Sequence, residues 1–230
     1  MTLKKAGKKA DAPEKKEAVG AAAGEAPARR RQQDRSAATR SRLLDAAIKS
    51  LYQRGYAATT TLAVAEDAGV SRGAMLHQFP TRVDLMLHVY QSVYEADARV
   101  YQKKLAKYAD RRKRLVAFVE IAWERLRSPT GIAVLEMMIG ARSDVDLAVR
   151  LAPLQAEIER DSFARAREWA GSDEGHPDLA RLAVWTMRGL ALARVLSHDK
   201  AETERSFRLL ERMLIAELER EEAHSGKAPG

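Results

Sequence analysis

The residues able to do chemistry in this 230-residue chain narrow its functions mostly by what they fail to form. There is no Cys, which excludes thiol nucleophiles, disulfides and thiolate metal sites and fits a reducing compartment. The five His, at positions 77, 88, 176, 198 and 224, are scattered, with no pair at metal-ligand spacing. Glu157 with Glu159, and Glu219 with Glu221 and Glu222, lie in charged helical stretches where solvated surface is the expected role. From residue 98 onward there is neither a phosphate-cradling Gly-rich loop nor a GxSxG. The chain is therefore expected not to be an enzyme and to need no cofactor or metal.

The charge is more telling. Residues 1–35 carry ten Lys and Arg against five Asp and Glu, and residues 36–82 carry six against three. From residue 83 onward the balance is 24 against 24, so the net +8 sits in the first third. A polyanion, nucleic acid above all, is the partner that Coulomb attraction and counterion release favour for that end. The alternative is a lysine-rich tail kept for solubility. Residues 1–35 have almost no large apolar side chains and are expected to be a disordered basic tail. Its Arg29, Arg30, Arg31 and Arg35 either lie along phosphates or a minor groove, or form a solvated linker.

A spacing pattern follows at once. With Thr61 as the first position of a short helix, Ala65 is fifth, Gly69 ninth and Met75 fifteenth. A small Ala65 lets two helices touch, Gly69 takes the positive φ of a tight turn, and Met75 fills the wedge between the helices. That is the logic of a helix-turn-helix, although small, Gly and apolar residues also meet this spacing by chance in helical proteins.

The elements that position these residues are expected to be helices throughout. Apolar residues make up 46 % of the chain and aromatics 6 %, and Gly and Pro are few. Order is expected from near Ser36, with Leu43, Leu44, Ala47, Ile48 and Leu51 on one helical face and Gly55 as its stop. Thr59, Thr60 and Thr61 offer N-caps to a second helix carrying Val64, Ala65 and Ala68 inward. Ser71 caps a third helix, Arg72 to Phe79, which Pro80 stops. Thr81 and Asp84 resemble a capping box opening a long helix to about Tyr108. Further helices are expected near 112–126, 129–141, 145–170 with a bend at Pro153, 177–196 and 201–220, with a frayed end over 221–230. No apolar run approaches the roughly 18 to 20 residues of a membrane span, and no signal-peptide core follows the N-terminal lysines. A cytoplasmic protein without a membrane partner is expected.

Thr39, Arg40, Leu43, Leu44, Ala46 and Ala47 open a longer string. Gly55, Tyr56, Thr59, Thr60, Ala65, Ala68, Gly69, Val70, Ser71, Gly73, Phe79, Asp84 and Leu85 continue it. Together they closely resemble the DNA-binding domain of the TetR (tetracycline-repressor-like) family. The likeness covers residues 37–97, with the helix-turn-helix at 60–79, and leaves 98–220 as a C-terminal helical regulatory and dimerisation domain. It implies a homodimer that binds a double-stranded, palindromic DNA operator and is released by a small molecule held in the C-terminal half. A sequence-tolerant architectural DNA-binding protein and an activator are the alternatives.

Carried over by position, the helix from Arg72 lies in the major groove with its N-terminal end toward base edges. Ser71 stands at its start. Gly73 and Ala74 let the backbone approach, and Ala74 suits a thymine methyl. Arg72 suits guanine, Gln78 adenine or a phosphate, and His77 a phosphate. Thr60 and Arg82 match positions that touch the DNA backbone in this family. Leu76 departs from it, standing where most members place a phosphate-binding tyrosine, which puts the operator sequence in doubt.

In the C-terminal half Phe118, Trp123, Leu126, Leu135, Met137, Met138, Phe163, Trp185 and Met187 are bulky groups able to line a cavity for a small apolar or amphipathic ligand, or to form plain core. Ala183, Gly189, Ala191 and Ala193 alternate with Leu182, Leu190, Val195, Leu209, Leu210, Met213, Leu214 and Leu218. In TetR-like proteins the last two long helices pair with their mates in a four-helix bundle, which this pattern would serve. The same stripe could instead pack within one subunit.

Overall fold

The computed structural model describes residues 19–170 and 177–225. Among them are nine helices and no strand: α1 (Val19–Ala58), α2 (Thr61–Asp67), α3 (Arg72–Gln78), α4 (Arg82–Leu105), α5 (Arg111–Leu126), α6 (Pro129–Gly140), α7 (Val145–Ala170), α8 (Pro177–Leu196) and α9 (Lys200–Ser225). The chain divides into two compact units, residues 1–41 and 42–230. The described part of the first is the leading stretch of α1. None of the helices is long and apolar enough to cross a membrane.

Helix limits follow local chemistry. Gly55 (φ 78°) breaks the helical path near the end of α1, and Gly69 (φ 61°) turns the chain between α2 and α3, both in the region that side chains disfavour. Thr60 Oγ1 accepts from Ala63 N at 3.1 Å to cap α2, and Ser71 Oγ accepts from Ala74 N at 3.2 Å to cap α3. Thr81 and Asp84 satisfy each other's backbone N–H groups at 3.1 and 2.9 Å, completing the capping box of α4. Asp110 and Ser128 cap α5 and α6.

Four limits differ from expectation. Helix α1 begins at Val19, not near Ser36, over an approach in which Ala and Arg favour a helix while Gly20, Gly24 and Pro27 oppose it. Residues 19–35, part of the expected tail, thus lie in α1, while residues 1–18 lie outside those described. Helix α4 stops at Leu105, and Ala106 to Tyr108 close it as a turn. The continuous α4 also carries the chain straight through residue 97, where a domain limit was expected. Helix α9 runs to Ser225, so the frayed end falls partly in helix; residues 226–230 lie outside those described.

Residues 42–225 hold two main cores. The first joins Leu43, Ala47 and Leu51 of α1 with Val64, Ala65, Met75 and Phe79, then with Leu85, Met86 and Val89 of α4. It extends into the C-terminal half through Ala133 and Met137 of α6 and Leu147 and Leu151 of α7. The second joins Val119, Ala122 and Trp123 of α5 to Ala183, Met187 and Ala191 of α8 and to Phe207 and Leu214 of α9. Its centre is the Trp123 ring stacked on the fully buried Phe207 at 4.9 Å.

Candidate nucleic-acid interface and interhelical cavity

The α2–α3 pair is clamped by polar contacts near its hinge. Thr59 is fully buried and its hydroxyl donates to the Gly55 carbonyl at 2.8 Å, with Ser50 Oγ also 2.8 Å away. Arg54 donates to Ser50 Oγ at 2.9 Å and pairs with Asp67 at the end of α2. With Met75 almost wholly buried, α3 is held by its inner side, and Arg72, Gly73, Leu76 and His77 are exposed on the other. Gly73 has no heavy atom within 4 Å of where a Cβ would sit, so its outer face is open to close approach. Thr60 and Ser71 are exposed beside Arg72, and Ala74 and Gln78 are partly buried. An exposed helix start with an adjacent guanidinium is a surface on which a phosphate or a base edge can sit.

Arg82 behaves differently from expectation. Its guanidinium lies 3.8 Å from the centroid of the Tyr56 ring and donates to the Tyr56 carbonyl, and its Nε is buried without a partner. Packing on an aromatic face outcompetes a solvent-facing pose for a flat, weakly hydrated cation. Tyr56 is in turn a junction. Its N–H donates to Glu136 of α6 at 3.1 Å, and its hydroxyl donates to Asp144 at 2.6 Å, just before α7. Burial and that hydrogen bond push the Tyr56 hydroxyl up to about 12, while Tyr56 and the Leu147 N–H hold Asp144 below the usual carboxylate range. Gly140 passes directly under the Tyr56 ring, where a Cβ would collide with it. Arg150 of α7 pairs with Asp84 of α4 at 2.8 Å, which with the Thr81 hydrogen bonds lowers the Asp84 pKa. The end of α1 and the start of α4 are thus tied to α6 and α7.

A cavity of about 530 Å³ opens between α4, α5, α7 and α8, with Leu214 and Leu218 of α9 at its edge. Phe118, Leu126 and Phe163 line it. Trp123 does not, being spent on Phe207 and on a hydrogen bond from its Nε1 to Glu204 at 3.1 Å. Met137 is fully buried in the first core and Met138 packs against that core. Trp185 is 44 % exposed, with Arg188 above its ring.

The chain matches the family model described as bacterial regulatory proteins, tetR family, over residues 43–89. It is 31 % identical over 186 residues to the HTH-type transcriptional regulator CymR of Pseudomonas putida, spanning 78 % of this chain and 90 % of that one. This chain belongs to the TetR family. It is a DNA-binding transcriptional regulator of helix-turn-helix type. Solved structures with the same fold include a TetR-family member from Streptomyces coelicolor A3 (TM-score 0.55, 24 % identity, 76 % of this chain and 96 % of that one). Another is FadR of Bacillus subtilis in complex with stearoyl-CoA (TM-score 0.58, 16 % identity, 76 % and 97 %).

The polar groups of the cavity of this TetR-family chain escaped sequence reasoning. Tyr90, Tyr94, Asp97 and Tyr101 enter from α4, Arg125 from α5, Arg160, Arg165 and Arg167 from α7 and Arg188 from α8. Tyr90, Tyr94 and Tyr101 recur at intervals of four and seven, one face of a helix, which was the available signal. Burial pushes the hydroxyls of Tyr90 and Tyr101 up, and it raises Asp97 even beside Arg125. Glu136 and Asp144 carried no comparable signal, since acids on helices are ordinarily solvated.

Proposed function

We propose that this regulator is a homodimeric, ligand-released repressor acting on a pseudo-palindromic operator. The observation that carries the dimer is an apolar face left in water. Leu182, Val195 and Leu196 of α8 and Leu209 and Met213 of α9 are each more than half exposed, while Ala183, Ala191 and Leu214 of the same stripe are buried inward. Gly189 adds open space for close approach on α8. A contiguous apolar patch of this kind marks an interaction surface, and a second copy, presenting the same two helices, is its natural complement. Two heads held about 34–36 Å apart read successive major grooves, which one short α3 cannot do tightly.

On each head Arg72, with Gly73 and Ala74 allowing approach, reads the groove, Gln78 meets an adenine or a phosphate, and Thr60, Ser71 and His77 meet the backbone. Arg82 joins them only by leaving Tyr56. A ligand in the cavity displaces α4 and α7, whose motion reaches the head through the Tyr56, Glu136 and Asp144 contacts. It must favour the non-binding spacing by a few kcal/mol to empty the operator.

The test is selection of bound fragments from sheared genomic DNA at about 150 mM salt, where surface charge is partly screened. A short palindrome, lost with Arg72→Ala and with the dimer-face change Leu182→Glu, is the expected result. Sedimentation should show the second variant as a monomer. Fragments without a shared sequence would favour a DNA-coating protein instead, and raised transcription from a promoter bearing the palindrome would make the protein an activator.

A further inference from the structure

Arginines line the cavity from three helices: Arg125 of α5, Arg188 of α8 and, on α7, Arg160 and Arg167, which are exposed, and Arg165, which lies over the Tyr94 ring 5.4 Å from its centroid. Arg125 Nε donates to Asp97 Oδ1 at 2.6 Å, so those two cancel. Glu159, the acid whose field reaches Arg188, is held by Arg181 at 2.8 Å. Arg188 itself makes no ion pair among the described residues. Its partners are the Tyr90 hydroxyl and the Trp185 ring, 4.8 Å from its guanidinium carbon. Burial lowers the Arg188 pKa from its ordinary value. One helical turn beyond Tyr90, on the same face of α4, the Tyr94 hydroxyl is buried with no hydrogen-bond partner.

A desolvated guanidinium and an orphaned hydroxyl are both costly, and both end in one cavity wall. A single group relieves both: an oxyanion, accepting from the guanidinium fork and from the phenol. A cationic ligand would be repelled by Arg188, and a neutral one would leave its charge unmet. Most of the remaining wall, with Phe118, Phe163, Val184 and Met187, is apolar, and the cavity volume falls within the range usual for small-molecule sites.

We propose that the cavity binds a small organic acid with an apolar body, its oxyanion held by the Arg188 guanidinium and the Tyr94 hydroxyl. This rests on reading the cavity as the regulator's ligand site, and deepens it.

Two fluorescent probes of one skeleton test it on the full chain: 1-anilinonaphthalene-8-sulfonate, which is anionic, and N-phenyl-1-naphthylamine, which is neutral. The anionic probe should bind at least about tenfold more tightly, as a charge-assisted contact gives. Arg188→Met should abolish that preference while leaving the neutral probe's affinity unchanged, and Arg188→Lys should restore part of it. Tyr94→Phe should weaken the anionic probe alone. Because the unliganded guanidinium has no acidic partner, Arg188→Met should melt no lower than the parent. Equal affinities overturn the acid, and a preference that survives Arg188→Met overturns Arg188 as the group that holds it; both leave the cavity standing. Binding of neither probe, or a signal that persists in the cavity-filling Val184→Trp, overturns the cavity as ligand site and this proposal with it.

Discussion

Between Ser50 and Phe79, the polar contacts that cap and clamp α2 and α3 join residues near in the chain: Ser50 to Thr59, Thr59 to Gly55, Arg54 to Asp67, Thr60 to Ala63, Ser71 to Ala74. The cavity is the reverse, with walls from Tyr90 to Leu218. A site made of neighbours is rebuilt wherever its short stretch folds. One made of distant helices changes whenever any helix rotates or slides. The head is thus suited to holding a fixed shape against DNA, and the cavity to responding. Tyr56, bound to Glu136 and Asp144 far along the chain, is where the fixed region meets the responsive one.

The largest effect that separates them is on the second core. Phe207→Ala should cost about 3–5 kcal/mol in urea unfolding, as a large buried ring does, with the Trp123 fluorescence altered. Because Phe207 belongs to the second core, α3 should keep its amide-exchange protection; loss of protection there would break the contrast between the regions. Arg72→Ala should weaken operator binding by about 1–3 kcal/mol and leave the melting temperature unchanged, since the side chain is exposed.

Smaller effects sharpen the contrast at the junction and the turn. Tyr56→Phe should cost about 1.5 kcal/mol, the low end for a hydrogen bond to an ionised carboxylate. Its raised pKa means the folded state keeps the phenolic proton longer than the unfolded chain. That stability is present below the ordinary tyrosine value of 10.0 and lost as pH climbs toward about 12. A phenolate absorbance titration should therefore lose a component near pH 12 in the variant. Gly69→Ala should cost about 1 kcal/mol, the strain of a left-handed residue, and no more, because nothing stands within 4 Å of the added Cβ. A larger loss would mean that the turn is read by its surroundings as well as by its own φ.

The same division decides which residues were legible. Ser71, Thr60 and the Thr81–Asp84 box could be read because a cap needs only a hydroxyl or carboxylate and an N–H three residues away. Gly55 and Gly69 could be read because a positive φ selects glycine. Arg82 could not, since its charge points to phosphate while its planar shape suits the Tyr56 ring equally well. Trp123, Met137, Met138 and Trp185 share one apolar chemistry, yet one stacks, one is deep core, one packs at a core edge and one is exposed.

What the amino-acid order determined by itself is the helical class, the caps and turns, the cationic leading third and a reading head recognisable by type and spacing. These rest on hydrogen bonds and backbone angles that span a few residues. Only the tertiary structure decided which face of each long helix turns inward, and with it the cavity, the placing of Arg188 beside Tyr90 and Trp185, the Tyr56 junction and the apolar face of α8 and α9. Helix periodicity says which residues share a face; the rotation of one helix against another is settled by packing among residues a hundred positions apart.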